Sequence, residues 1–395
     1  MSALSPTLGR NELRPPAGPE GARAIRIAVV GEPFFLDRHA GLLEALRKRV
    51  RAVDRIPLVD RPLLPAARFA LGEVLRGAAW TPSPGTLRRL RDRFEKDPAT
   101  FVRRSRISER MLAAATQKPD LVVQIGSLWS PNLSGSALPY AHYIDVTTAM
   151  VRRYWPQWLP YDRDATLEAW LSLEGASYRG AFRVFTFTRA ARDSLIRDYG
   201  VDPERVATVG TAGHYGPTSM ETRSYGGRRI IFNGSEFERK GGDLVLAAFR
   251  LLRERVPDAT LRIVGTRNVP PQQGVDVLGN VSRDVLYRVM AESDVVLAPS
   301  RFEGIPGFVL EAMHYGAVPI LSDAVGMSEI ITDGDEGFIV SPTTVDRLVD
   351  RVEAVLRDPA LARRLGSAAR RRIARYMDWD AVVDRMLRSA TCPAQ

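Results

Sequence analysis

A chain of 395 residues that is 45% hydrophobic and 26% charged is too long for one ordinary domain, fits two, and is too apolar for wholesale disorder. It contains no run of eighteen apolar residues, which argues against a transmembrane helix, and its single cysteine, Cys392, excludes an intrachain disulfide or a cysteine-based zinc site. Lysine and arginine outnumber aspartate and glutamate by 56 to 46, so the surface is expected to attract an anion: nucleic acid, an anionic bilayer or a phosphorylated substrate.

Residues 1–23 hold Pro6, Pro15, Pro16 and Pro19 and no apolar stretch, and read as a flexible extension rather than a signal peptide. Residues 25–30 (IRIAVV), ending at Gly31, have the apolar density of a strand covered on both faces. A helix is predicted over 40–50, with Leu42, Leu43 and Leu46 on one side. Residues 86–118 are basic (Arg88, Arg89, Arg91, Arg93, Lys96, Arg103, Arg104, Arg106), with Leu87, Leu90, Phe94, Phe101 and Val102 between. They read as amphipathic helices interrupted near Pro98, offering either a solvated face or contact with an anionic membrane surface. Strands follow at 121–125, 184–187 and 206–209, with a helix over 189–199 that stops at Gly200 as at a C-cap.

After Gly226-Gly227 the pattern repeats. Strands are predicted at 229–232 and 260–264, the second ending at Gly265, and short ones at 294–298, 318–321 and 337–340. Helices are predicted at 243–255 and, behind a serine cap, at 282–293. Strand–helix alternation implies two parallel, doubly wound sheets. Residues 379–389 form a further amphipathic helix carrying Val382, Val383 and Met386.

Two stretches carry chemistry. In 294–316 (DVVLAPSRFEGIPGFVLEAMHYG) a buried strand leads into a loop with Gly304, Pro306 and Gly307, then a helix bearing Glu311. Ligands of such sheets bind at the strands' carboxyl ends, and the helix start offers free N–H groups to an anion. Glu303 and Glu311 can face one ligand from loop and helix, or be a surface carboxylate and a salt-bridged one. A loop carboxylate followed by glycine, Glu303 is expected to contribute little to core stability. In 232–243 (FNGSEFERKGGD) a glycine-rich turn sets Arg239 beside Lys240, a fork and a point charge suited to phosphate; it is not a Walker A motif. Other polar residues read more blandly. Asp162-Arg163-Asp164 lies in a solvated loop after Pro160, His142 and His314 pack, and Trp155, Trp158 and Trp170 belong to core or interface. His39 and His214 lie near glycine turns, which leaves a cleft role and chance placement both open.

The pieces NGSEFERKGGDLVLAAFRLL, ATLRIVG, LYRVMAESDVVLAPSRFEGIPGFVLEAMHYGAVPI and GFIV, over roughly 230–340, resemble the nucleotide-binding domain of retaining glycosyltransferases of family 4, the group 1 glycosyltransferases. The first half is similar more loosely, through the Gly31 turn and TRAARDSLIRDYGVDPERVATVG. The resemblance implies an α/β GT-B fold: two Rossmann-like domains, 24–215 on the acceptor side and 216–378 on the donor side, facing a cleft, with 379–395 crossing back to the first. It implies metal-independent, retaining transfer of a sugar from a nucleotide-diphosphate donor, UDP or GDP left open, to a glycan, lipid-linked or other small acceptor. The setting would be cell-envelope or polysaccharide synthesis, in the cytoplasm and at the inner face of the membrane. The nucleotide-sugar is a substrate, and no cofactor is expected.

By position, the resemblance places Lys240 and Arg239 on the donor diphosphate, Glu303 on sugar hydroxyls and Glu311 on the ribose. Backbone amides of Ile305, Pro306, Gly307 and Phe308, after Gly304, would hold phosphate or sugar oxygens, and only proline lacks the N–H. Gly234 and Ser235 belong to the phosphate turn, and Gly265, Thr266 and residues 278–281 border the base. Catalytic roles fall to Glu303, Lys240 and Asp145, and the acceptor side takes Gly31, Tyr143 and Asp145. Two departures stand out. Ser235 replaces an arginine common in relatives, a charge for which Arg239 is the substitute, and Ile144-Asp145 stands where relatives often have histidine. Two other readings stay open: a GT-B nucleotide-sugar epimerase, and a basic nucleic-acid-binding protein, although no helix-turn-helix, zinc-finger or RNP-type motif is present.

Overall fold

The structure, a computed structural model, describes residues 24–60, 91–135, 138–161, 163–216 and 223–391. The N-terminal extension, Arg88, Arg89, Asp162 and Cys392 lie outside the described residues. Two six-stranded parallel sheets form the frame. The first runs β2-β1-β3-β4-β5-β6, with β1 Arg26–Gly31, β2 Ala52–Pro57, β3 Leu121–Ile125, β4 Tyr140–Ile144, β5 Arg183–Thr186 and β6 Val206–Thr208. The second runs β12-β11-β10-β7-β8-β9, with β7 Arg229–Asn233, β8 Thr260–Val264, β9 Val275–Gly279, β10 Val295–Ala298, β11 Val318–Ser322 and β12 Phe338–Val340. Read from β9, the second order is the 3-2-1-4-5-6 of a Rossmann sheet. The chain reverses direction of winding between β1 and β3 in one sheet and between β7 and β10 in the other.

The apolar runs are explained by burial on both faces. Ile27, Val29, Val123 and Ile125 enter one core, and Ala28, Val30 and Val122 the opposite one. In the second sheet Ile230, Phe232 and Val295 face one side, and Ile231 and Val296 the other. Alternate side chains on a strand point to opposite faces, so a strand with helices above and below needs apolar residues at every position.

Helices on both faces cover the sheets: α1 Pro33–Arg38, α2 Ala40–Arg47, α3 Pro98–Ala113, α4 Thr148–Tyr154, α5 Asp164–Gly180, α6 Arg189–Tyr199, α7 Gly242–Arg255, α8 Arg283–Glu292, α9 Gly307–His314, α10 Val345–Arg357, α11 Pro359–Tyr376 and α12 Trp379–Thr391. Thr188 caps α6 through the Ala191 amide, and Gly200, at φ 62°, ends it in the left-handed region.

The reading of helices interrupted near Pro98 holds: a helix through 91–95 ends, and Pro98 starts α3 at its first position behind the Asp97 cap, where there is no amide partner to lose. Two expectations are corrected. Asp164 is exposed but is the first residue of α5 and not part of a loop; exposed Arg163, still extended, is the cap position before it. The basic stretch is partly consumed inside its own domain: Arg104 is buried against Glu32 (3.0 Å) and Asp60 (3.4 Å), Arg103 pairs with Asp60, and Lys96 donates to Trp158 O at 3.0 Å. Those side chains are not on a solvated face.

The helix α12 packs on the first sheet's domain. Val382, Val383 and Met386 join Ile27, Val29, Leu42 and Leu46. Arg49 holds Asp380 and Asp384, each at 2.6 Å. A methyl group on Gly41 would lie 2.2 Å from Trp379, so only glycine lets α2 and α12 approach this closely. The domains also touch at Phe302, which packs among Met150, Val151, Trp155 and Ala191. Glu329, from the second, accepts the Arg189 and Ala190 amides at 2.8 and 3.0 Å, which caps α6 from across the boundary.

Candidate active site

Between the domains lies a cavity of about 990 Å³. Its walls come from the carboxyl ends of β1, β3, β4, β7 and β10, the place where winding reversal opens a crevice in doubly wound sheets.

On the second domain, Lys240 Nζ and Arg239 Nη1 each donate to Glu303 Oε2 at 2.8 Å. The three side chains are 12, 5 and 12% exposed, a half-dry cluster of two cations on one carboxylate oxygen. The expectation that Glu303 contributes little to stability is therefore corrected: it neutralises two buried charges. Arg239 is committed further. Its Nε and Nη2 bond Glu236 at 3.1 and 3.0 Å, its Nη1 bonds Phe302 O at 2.7 Å, and its guanidinium lies 4.5 Å from the centre of the Trp158 ring. Trp158 Nε1 donates to the same Glu236 at 2.8 Å, so Trp158 is an interface residue that fixes this turn from the first domain. Glu236 has φ 51°, in the left-handed region that a non-glycine residue enters only when its surroundings hold it there.

Asp145 reaches across from just beyond β4 and accepts the Ile305 amide at 3.2 Å. Burial is the main cause that lifts its pKa from 3.8 to about 7, followed by the Glu303 charge; the Ile305 N–H and Arg38 pull the other way. A methyl on Gly304 would fall 1.8 Å from Asp145 Oδ1, so the glycine is needed for this approach.

Glu311, on α9, is buried, accepts the His214 amide at 3.2 Å and lies 4.0 Å from Arg283. Burial raises its pKa, against the pull of the His214 amide and of Arg283 and Arg38. Tyr143 borders the cavity, but its hydroxyl donates to Gly210 O at 2.9 Å.

The cavity thus gathers Ser235, Arg239, Lys240, Glu303, Ile305, Pro306, Gly307, Phe308, Glu311, Tyr143 and Asp145. Gly31, Gly234, Gly265, Thr266 and Gly304 do not line it. Gly31 packs on Leu36, and Gly234 is closed by Thr266 and Ile263. His39 lines it as a buried ring between Tyr143, Phe187 and Trp379, with a pKa lowered to about 4 by burial. His142 bonds Gly126 O and Ser177 Oγ in the core, Trp170 is buried, and His314 stacks on Tyr215. The sequence reading missed Arg38 and Arg283, two exposed cations on opposite walls that belong to no motif. Among the described residues there is no group of three His, Cys, Asp or Glu placed to hold a metal ion, and no helix is long and apolar enough to cross a membrane.

Two Rossmann-like domains facing a cleft define a GT-B fold. Residues 221–372 match the family model of glycosyl transferases group 1, and the second domain is of that type. Glycogen synthase of Mycobacterium tuberculosis (strain ATCC 25618 / H37Rv) is 25% identical over 229 residues, 55% of this chain and 54% of that protein. Phosphatidyl-myo-inositol mannosyltransferase of Mycolicibacterium smegmatis is 31% identical over 172 residues, 41% of this chain and 44% of that protein. The chain spans about half the length of the curated relatives it matches. WaaG, a glycosyltransferase involved in lipopolysaccharide biosynthesis, superposes with a TM-score of 0.63 over 92% of this chain and 99% of its own, at 15% identity. Anabaena Alr3699/HepE in complex with UDP and glucose gives 0.62 over 92% and 100%, at 14% identity. At such identities the likeness is one of fold.

Proposed function

We propose that this chain is a retaining glycosyltransferase that moves a sugar from a nucleotide-diphosphate donor to a glycan, lipid-linked or other small acceptor, without a metal ion, in cell-envelope or polysaccharide synthesis at the cytoplasmic face of a membrane. The observation that carries the reading is the meeting of Lys240, Glu303 and the start of α9 with Asp145, at the carboxyl ends of both sheets. Lys240 and the free amides at the start of α9 suit the diphosphate, whose developing charge they stabilise by fixed position rather than by proton transfer; one such donor is worth about 3 kcal/mol. Glu303 faces the sugar, where positive charge develops. Glu311 receives the ribose hydroxyls, and Asp145 bounds the acceptor side. In the implied front-face reaction the C1–O bond to the diphosphate breaks and a C1–O bond to the acceptor forms on the same face. The acceptor proton passes to the departing phosphate oxygen. The names of the relatives support a glycan or lipid-linked acceptor.

The test is release of nucleoside diphosphate from ADP-, GDP-, UDP- and dTDP-sugars, with and without EDTA, followed by mass and anomeric analysis of the product. Acceptor-dependent release with retained configuration and no effect of EDTA is expected. A changed donor sugar without any acceptor would instead indicate an epimerase. No release from any donor would overturn the reading.

A further inference from the structure

We propose that Arg38 is the second phosphate-binding cation of the donor site, reaching the diphosphate from the opposite domain and supplying the charge that Ser235 lacks; this rests on the donor reading above. The phosphate turn has serine after Gly234, which leaves Arg239 and Lys240 as its basic residues. Arg239 is not free to serve. Four of its five N–H groups are held by Glu236, Phe302 O and Glu303, and its face lies on Trp158. Turning it toward a ligand would open the contact that fixes the turn to the first domain. Lys240 alone, itself shared with Glu303, would then meet two phosphates.

Arg38 fills this gap by position. It is the last residue of α1, just beyond the carboxyl end of β1. Its side chain crosses the cleft until Nη2 is 3.4 Å from where a methyl on Gly307 would stand, beside the first residue of α9. It is exposed, lines the cavity and makes no ion pair with any described residue. A planar guanidinium with a free fork, poised over a helix start with its own free amides, is suited to clasp phosphate oxygens. Its positive charge lowers the pKa of Asp145, Glu311 and His214, all of which line the same cavity. Arg283, the other exposed cation, donates to Tyr287 OH at 3.0 Å and lies beside Glu311, at the ribose end. Because Arg38 belongs to the first domain and α9 to the second, a diphosphate between them ties the two together.

The experiment titrates ADP, GDP, UDP and dTDP, with the matching nucleosides, into wild type, Arg38→Ala and Arg38→Ala/Ser235→Arg. An exposed arginine without an ion pair is dispensable for folding, so Arg38→Ala should melt as wild type does. For whichever diphosphate wild type binds, Arg38→Ala is expected to weaken affinity roughly ten-fold or more and to leave nucleoside binding unchanged. Ser235→Arg in that background should restore most of the loss. If Arg38→Ala binds the diphosphate as wild type does, or loses nucleoside and diphosphate binding equally, the role of Arg38 is overturned and the donor site stands. If wild type binds none of the four diphosphates, the donor reading falls and takes this proposal with it.

Discussion

Glu303→Gln separates stability from chemistry at one position. The carboxylate accepts from Lys240 and Arg239 through a single oxygen, at 2.8 Å each, and all three side chains are mostly buried. Removing one partner of a fully buried pair costs about 3–5 kcal/mol. Here Arg239 keeps Glu236 and Phe302 O, while Lys240 loses the anion it holds and meets an amide that donates as readily as it accepts. About 2 kcal/mol is therefore expected in the ligand-free protein, a fall of roughly 4–8 °C in Tm for domains of this size. A bound nucleoside diphosphate restores a negative partner to Lys240, so its protective shift should be larger in the variant than in wild type. Transfer should fall about 100-fold, near 3 kcal/mol, because the charge that faces the sugar is gone while nucleotide binding is strengthened rather than lost. Differential scanning fluorimetry with and without the diphosphate, beside steady-state kinetics, reads all three. A variant that melts within about 1 °C of wild type would refute the ion-pair account, since surface changes fall in that range.

Gly304→Ala should drive Asp145 off the Ile305 amide, because the new methyl would sit 1.8 Å from its oxygen. A loss of about 1–3 kcal/mol is expected, and Asp145→Ala should cost less in that background than in wild type; additive costs would refute the contact. Asp145 also predicts a pH effect. Its folded pKa, near 7, lies above the ordinary 3.8, so its stabilising share is full below about pH 4 and is lost as pH rises through about 7. Asp145→Asn should flatten that part of the Tm–pH curve, and an unchanged slope would count against the raised pKa. Glu311→Ala should weaken nucleoside and nucleoside diphosphate alike, since the ribose is common to both, with the effect mainly on donor KM; unaltered nucleoside binding would end the ribose assignment.

The central strands were readable because burial on both faces leaves a simple signature: β1 and β7 are apolar at nearly every position. The edge strands β2 (AVDRIP) and β9 (VDVLG) carry no such signal, because an edge packs less and mixes polar residues in. The helices α4 and α5 were missed for a related reason: their apolar positions face distant aromatic partners, Phe302 for α4 and Phe101 for α5, that no local window contains. In the candidate site, the family resemblance carried by the motifs placed Lys240, Glu303 and Glu311 around one ligand, and all three line one cavity. It could not tell which of two adjacent basic residues is spent. That depends on Trp158, Glu236 and Phe302, which converge from three segments far apart in sequence. Arg38 was invisible likewise, since its meaning lies in a partner loop more than two hundred residues on.

The return of α12 to the first domain has a consequence for how the chain is made. The apolar surface formed by Ile27, Val29, Leu42 and Leu46 is closed by Val382, Val383 and Met386, which a ribosome adds only after the entire second domain. At ordinary elongation rates the gap from β6 to α12 is on the order of ten to thirty seconds. Through that interval the nascent first domain exposes a greasy seam beside Gly41, whose lack of a side chain leaves the groove for Trp379 open. The newly made first half is thus the stage most in need of a chaperone's cover, and the second domain folds while the first still waits for its final helix.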